Sequence, residues 1–131
     1  MQRFAFLVLI SVAASSATAA GKELSAALVA AAPAADPIAV AQAVQAMQCA
    51  GQPDGEPVSR LVLIDYSRPS TAPRLWVFDL ATRTLSREER VAHGQGSGDN
   101  HATRFSNDPG SHQTSLGLFR IVGHLVENLL D

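Results

Sequence analysis

Cysteine is nearly absent from this sequence. Cys49 is the only thiol among 131 residues, so no internal disulfide can form and the fold must be stabilised by packing. The thiol lies near the end of a predicted helix, with no histidine or local positive charge beside it in sequence to lower its pKa. We therefore expect a buried, unreactive cysteine.

Clusters of positive charge are also lacking. The formal net charge is −2, and no group of lysine or arginine residues forms the basic patch that nucleic-acid binding requires. We predict no nucleic-acid partner.

Long hydrophobic runs are missing too. The apolar run at residues 5–14 is about half of the roughly 20 residues that span a bilayer. Arg3 precedes this run and Ala17, Thr18 and Ala19 follow it, which is the pattern of a secretory signal. We predict a signal peptide at residues 1–19, cleaved after Ala19, a periplasmic or secreted protein, and no membrane span in the mature chain.

Residues 20–57 are predicted to form a helical segment and a linker. Alanine and leucine at helical spacing favour a helix over residues 22–32, before Pro33. Asp36 and Pro37 are typical of the start of a second helix. Val40, Val44 and Met47 lie on one face of that helix, which Gly51 would end.

Strand-like periodicity begins after the linker. Residues 60–66, 75–80 and 84–91 predict three strands, the first covered on both faces and the last a solvated edge strand because it carries charges. Residues 81–83 are short enough for a hairpin. Residues 118–122 alternate apolar and polar side chains and predict a fourth strand.

A long loop at residues 91–117 is rich in glycine, serine, asparagine and histidine. Loops of this length more often form a binding wall than a mere connection. A phosphate cradle is one interpretation, but the glycine spacing fits neither the Walker nor the Rossmann pattern. A metal site is a second, but no short zinc signature is present; the four histidines are His93, His101, His112 and His124. The third is a polar wall in which backbone groups freed by glycines bind an extended peptide or sugar.

Short motifs in this region follow one another in an order that resembles a known family. They are Asp65-Tyr66-Ser67-Arg68-Pro69-Ser70, Arg74-Leu75-Trp76-Val77-Phe78-Asp79-Leu80, Val91-Ala92-His93-Gly94, Ser97-Gly98, Phe105-Ser106-Asn107, Pro109-Gly110-Ser111 and Thr114-Ser115-Leu116-Gly117. Together they resemble the amino-terminal half of a murein L,D-transpeptidase catalytic domain of the second, YkuD-like subgroup.

The resemblance implies a secreted or periplasmic cysteine transferase that acts on peptidoglycan stem peptides and uses no cofactor. It also implies a mainly β fold, here an incomplete sandwich or barrel at residues 58–131 preceded by the short helical segment. With the polarity of the loop, it predicts a substrate-binding cleft wall formed by His93, Gly94, Ser97, Gly98, Phe105, Ser106, Asn107, Ser111 and Gly117.

The sequence departs from the family pattern where the chemistry should be. In the family, the catalytic His-Gly and Ser-x-Gly-Cys segments lie downstream of the strand that residues 118–122 resemble, and neither segment is present in this sequence. Cys49 precedes the whole domain. We therefore predict no catalytic residue in this chain and expect a truncated, inactive copy, partly disordered or prone to aggregate. The alternative is a non-catalytic secreted module that binds the cell wall.

Overall fold

A computed structural model describes residues 10–52, 55 and 57–121, with side chains from residue 19 onward. The described elements are, in order, helix α1 (Ile10–Ala31), helix α2 (Pro37–Ala50), strands β1 (Arg60–Ile64), β2 (Leu75–Asp79) and β3 (Thr84–Glu89), and a short 3₁₀ helix (Gln95–Ser97). Residues 1–9 of the predicted signal peptide and three residues of the predicted linker lie outside the described part of the chain.

Helix α2 begins and ends where the sequence predicts. The Asp36 carboxylate accepts hydrogen bonds from the N–H groups of Ile38 (2.7 Å) and Ala39 (3.4 Å), and Pro37 occupies the first turn, where its missing N–H is not needed. Gly51, at φ +68°, follows the last turn. The predicted N-cap and stop signal are confirmed.

The buried face of α2 is also the predicted one, because Val40 and Val44 are buried and Met47 packs against the core. The predicted burial of Cys49 is wrong, since this residue is exposed. Two residues beyond Met47, the helical rotation of about 100° per residue turns a side chain away from the face that Met47 occupies.

The three strands form an antiparallel sheet in the order β1-β2-β3. Leu63 pairs with Trp76 across β1 and β2, and Phe78 pairs with Leu85 across β2 and β3. A register shift occurs between Val77 and Phe78. The predicted hairpin between β2 and β3 is confirmed, and Arg83 adopts a left-handed φ of +56° within it.

The two helices pack on one face of this sheet. The core consists of Leu28, Ala32, Ala35, Val40, Val44, Leu61, Trp76 and Phe78. Burying these side chains contributes about 1.5–3 kcal/mol for each large apolar residue. β3 carries exposed charges at an edge of the sheet, as predicted.

The architecture is a small mixed α and β fold. The three predicted strands are confirmed, but helices of 22 and 14 residues outweigh strands of five, five and six, so the described part of the chain is not mainly β. It contains one sheet covered by helices, where a sandwich would require a second sheet.

The predicted fourth strand is not formed over residues 118–121; Val122 lies outside the described residues. Alternating side chains give a segment the potential to form a strand, but a strand exists only when its backbone pairs with a neighbour. No such ladder is seen for these residues, and Leu118, Phe119 and Ile121 are exposed.

Within the residues that the structure describes, none of the helices is both long and apolar enough to cross a membrane.

Candidate functional site

The loop at residues 91–117 folds around Ser97. This serine is fully buried, and its hydroxyl accepts the backbone N–H of Thr114 at 2.8 Å. Its carbonyl accepts the N–H groups of Thr103 (2.9 Å) and Arg104 (3.1 Å). One residue therefore joins the beginning, middle and end of the loop.

The glycines allow the two halves of the loop to touch. A Cβ on Gly94 would lie 2.5 Å from the His112 carbonyl oxygen, and one on Gly96 would lie 2.8 Å from the Ser111 carbonyl oxygen. The Gly94 N–H donates to the Thr114 hydroxyl (2.7 Å), and the Gly96 N–H donates to the His112 carbonyl (2.8 Å).

These two amides are therefore occupied within the loop. The expectation that glycines free backbone groups for a ligand does not hold for them. A phosphate cradle would also need free N–H groups pointing at the anion.

A buried arginine connects the sheet to this loop. Arg74, just before β2, is fully buried and its guanidinium donates to the carbonyls of Val91 (3.0 and 2.7 Å) and Arg68 (2.9 Å). The guanidinium also lies 5.1 Å from the centroid of the Tyr66 ring, a favourable cation–π distance. A buried charge needs hydrogen bonds of this kind, because an unpaired one is very costly.

The same guanidinium contacts His93. The Arg74 Nη2 lies 2.9 Å from His93 Nδ1, and His93 Nε2 lies 3.0 Å from the Gly98 carbonyl oxygen. Arginine has donors and no acceptor, so Nδ1 must accept this bond. The ring proton is then on Nε2, which donates to Gly98. Both ring nitrogens are thus occupied by the protein itself.

The other predicted site residues lie on the outer part of the loop. Phe105 packs on Tyr66 with ring centroids 6.1 Å apart. The hydroxyls of Ser106 and Ser111 accept the backbone N–H groups of Asp108 (3.0 Å) and Gln113 (3.3 Å). Asn107 and Gly117 are exposed. The structure thus joins His93 to Gly98 and Gly94 to Ser97, while Asn107, Ser111 and Gly117 are not shown in contact with those four.

Three residues that organise the site were not predicted for it. Arg74 holds His93, Thr114 closes the loop on Gly94, and Asn100 accepts at its carbonyl the N–H of Ser70 (2.8 Å). Only Arg74 offers a signal in the sequence, as a lone cation directly before the apolar run at residues 75–78. Its partners are backbone carbonyls and a histidine 19 residues away, which spacing does not predict.

Among the described residues, no group of three or more histidine, cysteine, aspartate or glutamate side chains could hold a metal ion. His124 lies outside these residues.

Cys49 lies in a different part of the fold. It borders a groove of about 600 Å³ between α1 and α2. The groove is lined by Gly21, Lys22, Ser25, Ala41, Val44, Gln45, Gln48 and Cys49. No histidine is among them, and Lys22 is the only other ionisable side chain in this lining.

Most of the sequence matches one family of catalytic domains. The model of the L,D-transpeptidase catalytic domain matches residues 31–127, which is most of the chain. The chain belongs to the L,D-transpeptidase catalytic domain family. Searches of curated proteins and of solved structures found no match. The L,D-transpeptidase match includes α2, the whole sheet and the loop at residues 91–117, and so joins the helical segment to the part that carries the motifs.

Proposed function

We propose that this L,D-transpeptidase family member is a secreted protein whose loop at residues 91–117 binds peptidoglycan stem peptides, and that residues 1–131 do not themselves carry out acyl transfer. The family match over residues 31–127 carries the proposal, because the family acts on such peptides. The geometry of the loop supports it.

The loop has polar groups left over after its own hydrogen bonds are made. Arg104 is exposed and is tethered only through Nε, which donates to the Gly96 carbonyl at 3.2 Å. Its terminal nitrogens and the exposed side chain of Asn107 make no hydrogen bond within the described part of the chain. These groups are available to a ligand without disturbing the loop.

They suit the chemistry of a stem peptide. Such a peptide ends in the carboxylate of a terminal D-alanine, and a guanidinium binds a carboxylate through paired N–H groups. The Asn107 side chain can both donate to and accept from a peptide backbone. Arg104 would bind the carboxylate, and Asn107 would bind an amide of the same peptide.

The positions of the described reactive groups support the proposal of binding without chemistry. A covalent mechanism needs a nucleophile and a base within hydrogen-bond reach. Cys49 is exposed on α2 beside a groove without histidine, and both nitrogens of His93 are already hydrogen-bonded.

Titration of the purified mature chain with a synthetic stem peptide, followed by NMR, tests the binding proposal. We expect loop amides to shift, and the Arg104→Gln and Asn107→Ala variants to weaken binding by about three- to tenfold, the scale of one exposed hydrogen bond. Arg90→Gln and Gln42→Ala are matched controls, because both residues are exposed and distant in sequence from Arg104 and Asn107. Equal binding by all four variants, or no shift in the wild type, would contradict the proposal.

Mass spectrometry after incubation with a stem-peptide donor tests the absence of acyl transfer. We expect no adduct on the wild type or on Cys49→Ser. A thioester on the wild type that is missing from Cys49→Ser would show that this chain is an enzyme.

The proposal of secretion rests on the signal-peptide pattern of residues 1–19, and the packing of α1 is compatible with cleavage there. Contacts between α1 and α2 include Gly21, over which the Gln48 side chain lies, and Leu24 and Leu28 in the core. Cleavage after Ala19 would keep all three residues. Fractionation of expressing cells should find the protein outside the cytoplasm with Ala20 at its amino terminus; an intact Met1 in the cytoplasmic fraction would refute secretion.

A further inference from the structure

We propose that Arg74 is a positioning residue: it fixes His93 as the Nε2–H tautomer and, through His93, holds the loop at residues 91–117 in its binding conformation. The ligand of that conformation rests on the proposed function. The tautomer and the loop conformation do not, and they can be measured without a ligand.

The first step is the fixed chemistry of the guanidinium. It has donors and no acceptor, so it can only donate a hydrogen bond. Because Nη2 lies 2.9 Å from His93 Nδ1, the lone pair of Nδ1 must face it. A proton on Nδ1 would place two donors in contact, and Arg74 is too deeply buried for water to separate them.

The second step is the effect of the His93 tautomer on the loop. With its proton on Nε2, His93 donates to the Gly98 carbonyl. Gly98 adjoins Ser97, whose hydroxyl and carbonyl hold Thr114, Thr103 and Arg104. Gly98 itself has a φ of +142°, and a Cβ there would collide with the His101 carbonyl oxygen. The hydrogen bond from His93 thus holds Gly98 where its backbone is packed closely against that of His101.

A lysine at position 74 cannot make the same set of hydrogen bonds. The guanidinium contacts the Val91 carbonyl, the Arg68 carbonyl and the His93 ring at once, in a planar arrangement that a single ammonium group cannot reproduce. Arg74→Lys keeps the charge but leaves His93 free to take either tautomer.

NMR of the His93 ring nitrogens in the purified mature chain provides the test. We expect the Nε2–H tautomer in the wild type and a mixture of tautomers in Arg74→Lys, with shifts in the amides of Gly98 and Thr114. Val77→Ala is the matched control, because Val77 is buried on β2, the strand that Arg74 precedes, and its truncation lowers stability without changing a contact of His93. A residue that only stabilises the sheet would behave like Val77. An Nδ1–H tautomer in the wild type, or unchanged ring signals in Arg74→Lys, would overturn the proposal.

A second pair of variants decides the matter if Arg74→Lys does not fold. The Gln side chain in His93→Gln has an acceptor for Arg74 and a donor for Gly98, whereas the side chain in His93→Leu has neither. We expect the loop amide pattern of the wild type in His93→Gln and its loss in His93→Leu, with stem-peptide affinity about tenfold weaker in the latter. A wild-type amide pattern in His93→Leu would refute the positioning role. Failure of the wild type to bind stem peptide, with the tautomer as stated, would refute the proposed ligand alone.

Discussion

Two buried side chains with nitrogen donors differ in whether those donors have hydrogen-bond partners. Arg74 has a partner for each of its three guanidinium nitrogens, whereas the indole N–H of Trp76, equally buried, makes no hydrogen bond within the described residues. An unpaired buried donor costs about 1–3 kcal/mol. Trp76 is held instead by apolar packing and by the guanidinium of Arg68, 5.4 Å from its ring centroid.

Asp79 gives a prediction at the scale of one residue. Its carboxylate accepts the backbone N–H of Thr82 at 2.9 Å, which holds the pKa of Asp79 below its ordinary value of 3.8. A lowered pKa stabilises the folded state at pH values above 3.8, and this contribution is lost as the pH falls from 3.8 through the folded-state pKa.

We therefore expect the melting temperature of Asp79→Asn to lie below that of the wild type at neutral pH and to approach it in acid. Asp99→Asn makes the same charge change at an exposed residue and should follow the wild-type pH profile. A constant gap between Asp79→Asn and the wild type down to strongly acidic pH would contradict the role of the Thr82 hydrogen bond.

At the scale of elements, the sequence predicts the helices and strands whose ends are set by contacts between residues close together in the chain. The ends of α2 are determined by Asp36, Pro37 and Gly51, through contacts within a few residues. The local sequence is therefore enough to locate this helix. The failures concern long-range contacts. Residues 118–122 alternate apolar and polar side chains as a strand does. A strand also needs a second strand to pair with, and the sequence of the segment does not show whether one is there.

The loop at residues 91–117 shows the same division. Its existence and polarity follow from its composition, but the bonds that shape it join Gly94 to Thr114 and Arg74 to His93. Such pairs lie about 20 residues apart, and nothing in their spacing indicates that they meet. The glycines predict backbone groups that are free for a ligand, whereas close packing of the loop on itself is what requires Gly94 and Gly96.

Gly94→Ala tests this packing. The backbone of Gly94 has a φ of −58°, which alanine adopts freely, so any loss comes from the Cβ that would meet the His112 carbonyl. We expect the free energy of unfolding to fall by about 1–3 kcal/mol in urea denaturation.

Gly110→Asn is its control. Gly110 has a φ of +79° with nothing within 4 Å of the added Cβ, and asparagine tolerates the left-handed region. Equal losses in the two variants would show that backbone conformation, and not close approach, requires glycine in this loop.

At the scale of the whole molecule, the described part of the chain buries one apolar surface and exposes another. The helices cover one face of the sheet, but a run of large apolar side chains near the end of the described residues is open to solvent. These are Leu116, Leu118, Phe119 and Ile121. Exposed apolar residues that lie together, unlike scattered single ones, favour association.

We accordingly expect the mature chain to self-associate, and the double variant Phe119→Ser with Ile121→Ser to shift it toward monomer in light scattering after size exclusion. Ile38→Ser is the matched control, because Ile38 is 68% exposed, slightly more than Phe119 at 63%, but lies apart on α2. A monomeric wild type at every concentration, or an equal effect of Ile38→Ser, would refute this expectation.

The order β1-β2-β3 has a consequence for the time course of folding. Each strand pairs with its neighbour in the chain across a short connection, and pairings of low sequence separation form quickly. The contacts of the loop at residues 91–117 must wait for closure over about 20 residues. The three-stranded sheet, with Trp76 on its central strand, should thus form first during refolding. The loop at residues 91–117 should become ordered last.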